Sequence, residues 1–317
     1  MKFTRIYLIF FVLLVPELKA FAQADISMAT HWNNRANYNP ASIARTDYLY
    51  LFSNLRQQWL GVNGAPRVFN VQASQYVDKI RSAFGLSVVG DKIGAVNSFN
   101  PMATYAYRIA KHQDWALSFG ISAGVFSSSV NGSLFEPDIA NDPFIYYGKE
   151  KSIRPDFNAG VEFQNSNFVL GVSSTHISSV FKTNNLYLNT NHRYGYAIYK
   201  NTGSKFFNYN VGLQVVNRSD LTVMEINTIF RIKHLTGLID GLREVFDVGL
   251  TYRTSRQMTV LFGVNISSNA RIGYAYDHSF MKGYNPNGTH EIVLECRFLR
   301  NAASTRLKCG DDLFWYY

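Results

Sequence analysis

Only two cysteines occur in 317 residues, Cys296 and Cys309, too few to cage a metal ion, so neither a zinc scaffold nor a disulfide-built fold is expected. Charged residues make up just 17%, below the roughly 25% usual for soluble domains. After Val15 no apolar run approaches the length a membrane-spanning helix needs, and the mean hydropathy is −0.10. A helical membrane protein is therefore excluded. No phosphate-cradling glycine loop occurs. His290-Glu291 lacks the second histidine that a zinc-protease helix requires. Asp277-His278-Ser279 puts three triad residue types side by side, but a nucleophilic triad is assembled from separated segments, so adjacency carries little weight. The chain reads as a non-enzyme with no cofactor and no metal.

Aromatics, by contrast, reach 15% and hydrophobic residues 47%, which excludes disorder and suggests that much of the surface faces something other than water. The first 22 residues read as a secretory signal peptide. Lys2 and Arg5 precede an apolar stretch from Ile6 to Val15, and Ala20-Phe21-Ala22 offers a small-x-small cleavage site. Its removal would take Lys2, Arg5, Lys19 and Glu17 and leave a chain that is still basic. In an exported protein without a recognition motif, that balance does not point to nucleic acid.

Period-two alternation is the dominant pattern. Phe246, Val248, Leu250 and Tyr252 fall on one face of a strand, opposite Asp247, Gly249, Thr251 and Arg253. Met258, Val260, Phe262, Val264 and Ile266 oppose Gln257, Thr259, Gly263 and Asn265, with Leu261 out of pattern. Ile272, Tyr274 and Tyr276 oppose Arg271, Gly273, Ala275 and Asp277. Ile292, Leu294, Cys296 and Phe298 oppose Glu291, Glu295 and Arg297, with Val293 the exception. Segments at 115–126 and 153–163 behave alike, and further strands are expected from near Tyr48, Arg67, Ser82, Asn100, Asn167, His192, Phe206 and Leu221. The total is about 14, an even number suited to an all-β fold, a transmembrane antiparallel up-and-down β-barrel in an outer membrane.

Residues 23–47 read as an irregular leader broken by Asn39-Pro40, residues 48–298 as the barrel, and residues 299–317 as a tail whose aromatic end should dock somewhere. With a periplasmic start, long external loops are expected at Trp59–Pro66, Asp91–Phe99, Ser128–Ser152, His176–Asn191 and His278–Gly288, and short turns at the other end. Leu235, Leu238, Ile239 and Leu242 follow helical spacing, so a short amphipathic helix is expected between His234 and Val245. The alternation points Cys296 toward lipid; Cys309 could be free or bridged.

Several ordered motifs carry a resemblance. Arg56-Gln57-Gln58-Trp59-Leu60-Gly61, Gly64-Ala65-Pro66, Asp91-Lys92-Ile93-Gly94, Ile272 to Asp277 and Gly288-Thr289-His290-Glu291-Ile292 closely resemble the PorP/SprF family of Bacteroidetes. Asn39-Pro40-Ala41 also fits. The chain departs at Thr289, where the family usually has Ser, in the aromatic tail, and between His234 and Val245. The resemblance implies an outer-membrane barrel associated with type IX secretion, with outer-membrane lipid, machinery components and secreted surface cargo such as gliding adhesins as partners. A channel or hydrophobic-solute transporter is the alternative, and an outer-membrane hydrolase using His278, Ser279 and His290 comes third.

Arg56, Trp59, Gly61, Gly64, Pro66, Asp91, Gly94, Asp277, His290 and Glu291 are the motif residues singled out. They read as shaping loops and closing the barrel, or else as touching a partner. Arg56 should face the lumen and Trp59 the membrane interface, Asp91 and Gly94 suit a turn, and His290-Glu291 should bond to Asp277 or Arg271 across the seam.

Overall fold

A computed structural model describes residues 28–45, 48–111, 115–134, 148–180, 190–204, 206–218, 221–235, 242–267, 269–280 and 287–299. Fourteen antiparallel strands, each hydrogen-bonded to its sequence neighbours, close into one barrel when β14 pairs with β1. In chain order they are β1 (Tyr48–Gln57), β2 (Arg67–Val77), β3 (Ser82–Ile93), β4 (Val96–Lys111), β5 (Trp115–Asn131), β6 (Lys149–Asn165), β7 (Phe168–Thr175), β8 (His192–Asn201), β9 (Phe207–Arg218), β10 (Leu221–Leu235), β11 (Leu242–Arg253), β12 (Gln257–Asn265), β13 (Ala270–Ser279) and β14 (Thr289–Leu299). Closure removes the sheet edges that would otherwise leave unpaired backbone groups in lipid.

Alternation decides what each face meets. Leu55, Leu86, Ile121, Ile153, Val172, Leu250 and Ile292 all stand on the outer wall with half or more of their surface exposed. Apolar side chains spread over so many strands form a continuous band that only an apolar surrounding tolerates. The inward set is buried and polar, with Arg56, Glu162, Glu225, Arg253, Arg271, Asp277, Glu291 and Glu295 among it. Cys296 lies on the outward face and is a free thiol. The pattern-breaking residues Leu261 and Val293 point inward: Leu261 packs with Ala29 and Ala275, and Val293 with Tyr50 and Phe52. Leu261 breaks the alternation where Ala29 fills the lumen beside it, and Val293 where the inward rings of Tyr50 and Phe52 on β1 cover it.

The filling is the leader. Residues 28–45 lie inside the barrel and are almost wholly buried. Two short 3-10 turns, Arg35–Asn37 and Pro40–Ile43, are each opened by an asparagine whose side chain accepts from a backbone N–H two residues on: Asn34 from Ala36 and Asn39 from Ala41. Pro40 occupies the first position of the second turn, where no N–H is missed. The leader descends from the far rim, where β1 ends, to the terminal end, where β1 begins. Ala29 and Thr30 touch β14 near its first residue, while Ile43 packs with Tyr76, Ala83 and Ala106 near the other end.

Three expectations change. Asp91–Phe99 is no loop: β3 continues to Ile93, β4 begins at Val96, and only Gly94-Ala95 turns the chain. Gly94, at φ +54°, makes so tight a reversal possible despite the polar sequence around it. Between Ser128 and Ser152, the strands extend instead to Asn131 and from Lys149, with Ser128 opposite Ser152. The helix between His234 and Val245 is replaced by strand at both ends. Leu235 pairs with Leu242, and the ladder overrides a local helical spacing too short to hold alone. Leu238 and Ile239, the signal-peptide segment, Cys309 and the aromatic tail lie outside the described residues.

Candidate functional site

Near the far rim, inward positions on five strands build a row of alternating charge. Glu225 (β10) pairs with Arg253 Nε (β11), whose Nη1 lies 3.4 Å from Asp277 Oδ1 (β13). Asp277 Oδ2 lies 2.7 Å from Arg56 Nη2 (β1), and Arg56 Nη1 lies 3.1 Å from Glu291 Oε2 (β14). Thr259 donates to Asp277, and Asn54 Nδ2 donates to Glu291 Oε1 over 2.8 Å. The row begins and ends on a carboxylate, so acceptor capacity is left over at both ends. Buried carboxylates without donors would be costly.

The leader supplies the donors. Glu291 accepts the backbone N–H of Ala29 at 2.7 Å, that of Thr30 at 3.1 Å, and the Thr30 hydroxyl. Glu225 accepts the Trp32 indole N–H and lies 2.6 Å from His31 Nε2. Deeper in the lumen Arg35 grips Glu162 (β6) through Nε at 2.8 Å and Nη2 at 3.2 Å. The Tyr196 hydroxyl donates to the same carboxylate at 2.5 Å and accepts from Asn39 Nδ2 at 2.8 Å. Burial works against the Arg35 cation, but Glu162 together with Tyr196 and Tyr38 more than offsets it, so its pKa is raised. Burial drives the Tyr38 hydroxyl well above its usual range, so it stays neutral. A second row of charge, Asp247–Arg271–Glu295, crosses β11, β13 and β14 below the first, with Arg271 Nη1 2.5 Å from Glu295 Oε1.

Glycines on the inner wall make room. A Cβ on Gly120 would sit 2.2 Å from the Ala41 backbone nitrogen, and one on Gly212 would sit 2.3 Å from the Trp32 ring. The missing side chains are the seats of the leader.

The motif residues meet at one place on the far rim. Leu60 donates its backbone N–H to the Gly288 carbonyl at 3.2 Å, Asn287 Nδ2 returns a bond to the Leu60 carbonyl at 3.0 Å, and the Trp59 N–H reaches Thr289 Oγ1 at 3.5 Å. Gly64 accepts from the Gly94 N–H at 2.9 Å, and Pro66 accepts from that of Gln58 at the same distance. Gly61 and Gly64, at φ +92° and +71°, turn this connection, and half-buried Trp59 is itself at φ +48°. Arg56, Asp277 and Glu291 come together as described. Asp91 lies within β3 opposite Val68, not in a turn, on the inward face. His290 and Glu291 do not bond to Asp277 or Arg271. His290 takes the outward face, 2.6 Å from the Tyr274 hydroxyl and 3.1 Å from the Asn287 carbonyl, while Glu291 turns inward to Arg56 and the leader. Adjacent strand residues face opposite sides, which divides the two. The same rule sends Asp277 and His278 to opposite sides of the wall, so those two do not converge on a reacting atom.

Glu162, Tyr196, Glu225 and Arg253, with Thr30, Trp32 and Arg35 of the leader, complete the site without belonging to any motif, whereas Asn39 opens the Asn39-Pro40-Ala41 motif. Their signal in the sequence is the run of ionised residues on otherwise small, polar strand faces and the polar stretch Thr30–Arg35 in a leader otherwise without pattern.

A closed barrel with an apolar outer band and a polar, occupied lumen defines an integral outer-membrane β-barrel protein. The sequence model of the type IX secretion system membrane protein PorP/SprF matches residues 20–296, and the chain belongs to that family. No curated protein sequence matches it. Among solved structures, similar folds include the CymD monoaromatic hydrocarbon channel (12% identity, 88% of this chain and 94% of that one, TM-score 0.47). The Ralstonia pickettii toluene transporter TbuX (13%, 88% and 96%, 0.45) and a Pseudomonas aeruginosa FadL homologue (12%, 82% and 91%, 0.44) are also similar.

Proposed function

We propose that this protein is a non-enzymatic outer-membrane component of type IX secretion that assists export or surface attachment of a particular surface protein, such as a gliding adhesin. Residues 1–22 act as its signal peptide, the far rim faces outward, and the motif residues around Gly64, Gly94 and Gly288 shape the surface offered there. The observation that carries this reading is a family match over nearly the whole chain. The leader bonded across the lumen favours it over an open channel, because the path a solute would take is filled by buried residues held at Glu291, Glu225 and Glu162. Against hydrolase chemistry, Asp277 is engaged by Arg56, Arg253 and Thr259. Deleting the gene and profiling surface proteins tests the reading. Loss of one type IX cargo from the surface is expected, and normal display of every such cargo would contradict it.

A further inference from the structure

Outside the wall, at the seam where the motifs meet, a groove of about 580 Å³ runs over β14, β1, β2, β3 and the start of β4. Its floor is a depression at Gly90. The Phe69 ring lies across that residue so closely that a Cβ there would meet it at 2.1 Å. Leu55 and Ile292, 61% and 57% exposed, form apolar walls on the membrane side. One step along the strands toward the far rim the lining changes to Arg67, Lys92, Asn97 and His290.

Arg67 and Lys92 stand directly opposite each other on β2 and β3, and both are exposed. Among the described residues neither side chain makes an ion pair or hydrogen bond. Like charges paired across a ladder repel, and a bound anion removes that cost. Strand residues two positions apart are separated by roughly 6–7 Å along the wall, so Arg67 stands that far above Phe69 and Gln57 that far above Leu55. A cationic pair over an apolar furrow at the edge of the lipid-facing band has the layout of one lipid: charged head at the interface, chain lying inward.

We infer that this groove binds a phosphate-bearing anionic lipid of the leaflet at the far rim, its phosphate between Arg67 and Lys92 and an acyl chain along Leu55, Phe69 and Ile292. This assignment rests on the outer wall alone and holds whatever cargo the protein serves.

The test is native mass spectrometry of the full-length protein released from detergent micelles doped with phosphatidylglycerol. Wild type is expected to keep one lipid. The double variant Arg67→Ser/Lys92→Ser is expected to bind it roughly tenfold more weakly, as loss of charge-assisted hydrogen bonds worth about 1.5 kcal/mol implies. A control, Lys149→Ser/Lys151→Ser, removes the same charge from exposed positions on β6 and should bind as wild type does. Gly90→Leu, which displaces the Phe69 ring into the furrow, should weaken retention with both cations intact. Unchanged heat-modifiable mobility on gels establishes that each variant is folded. Equal retention by wild type and the Arg67/Lys92 variant, or equal loss in the Lys149/Lys151 control, would overturn the assignment.

Discussion

Gly94 donates its backbone N–H to the carbonyl oxygen of Gly64 across 2.9 Å, joining the β3–β4 turn to the β1–β2 connection. Both residues have positive φ, and a Cβ on Gly64 would lie 3.4 Å from Gly94 Cα. Two separated motifs are thus one structural unit at the seam.

Gly64→Ala should therefore cost about 1–2 kcal/mol, the price of a left-handed conformation for an L-residue. Gly94→Asn should cost less, because nothing lies within 4 Å of that position and asparagine tolerates this region. Urea unfolding in phospholipid vesicles, followed by tryptophan fluorescence, gives both values.

Glu291 is the hinge between wall and leader. Glu291→Ala leaves Ala29 and Thr30 without acceptors and Arg56 with Asp277 alone, so a loss of about 3 kcal/mol is expected, as for breaking a buried ion pair. Glu291→Gln keeps an acceptor oxygen and should lose less. The same unfolding measurement separates the two variants.

Gly120 should be replaceable without loss of the barrel but not without moving the leader, since its Cβ would meet the backbone of Pro40 and Ala41. In a background carrying Cys296→Ser and Cys309→Ser, a Ser42→Cys probe should resist maleimide because Ser42 is fully buried. Adding Gly120→Val should make it react while the folded gel mobility persists.

The outer band makes a further prediction. Leu86, 66% exposed in the middle of β3, should face acyl chains, so Leu86→Arg should destabilise the protein by about 2–4 kcal/mol in vesicles. Folding in vesicles is the readout, and a neutral result would place that face in water.

Much of the barrel was legible because strand periodicity is a local property. Phe246 to Arg253 states its own two faces, and the starts at Tyr48, Arg67, Ser82, His192 and Leu221 coincide with the strands. Where local chemistry and the ladder disagreed, the ladder prevailed: polar Asp91-Lys92 is strand, and Leu235 and Leu242 form a rung. Arg56 could be placed in the lumen, but its partners could not be. Asp277 and Glu291 reach it only through barrel closure, which brings the last strands beside the first. The leader read as irregular because its order comes from the wall, from Glu162, Tyr196 and the space left at Gly120 and Gly212. Even so, Leu261 and Val293, which broke the alternation, mark inner-wall positions covered by protein.

Residues 28–45 fill the lumen of a membrane barrel, and single-channel recording in planar bilayers tests whether they close it. Wild type should stay closed, and a variant lacking residues 28–45 should conduct. Steady conductance by wild type, unchanged when those residues are removed, would show that the leader does not close the lumen.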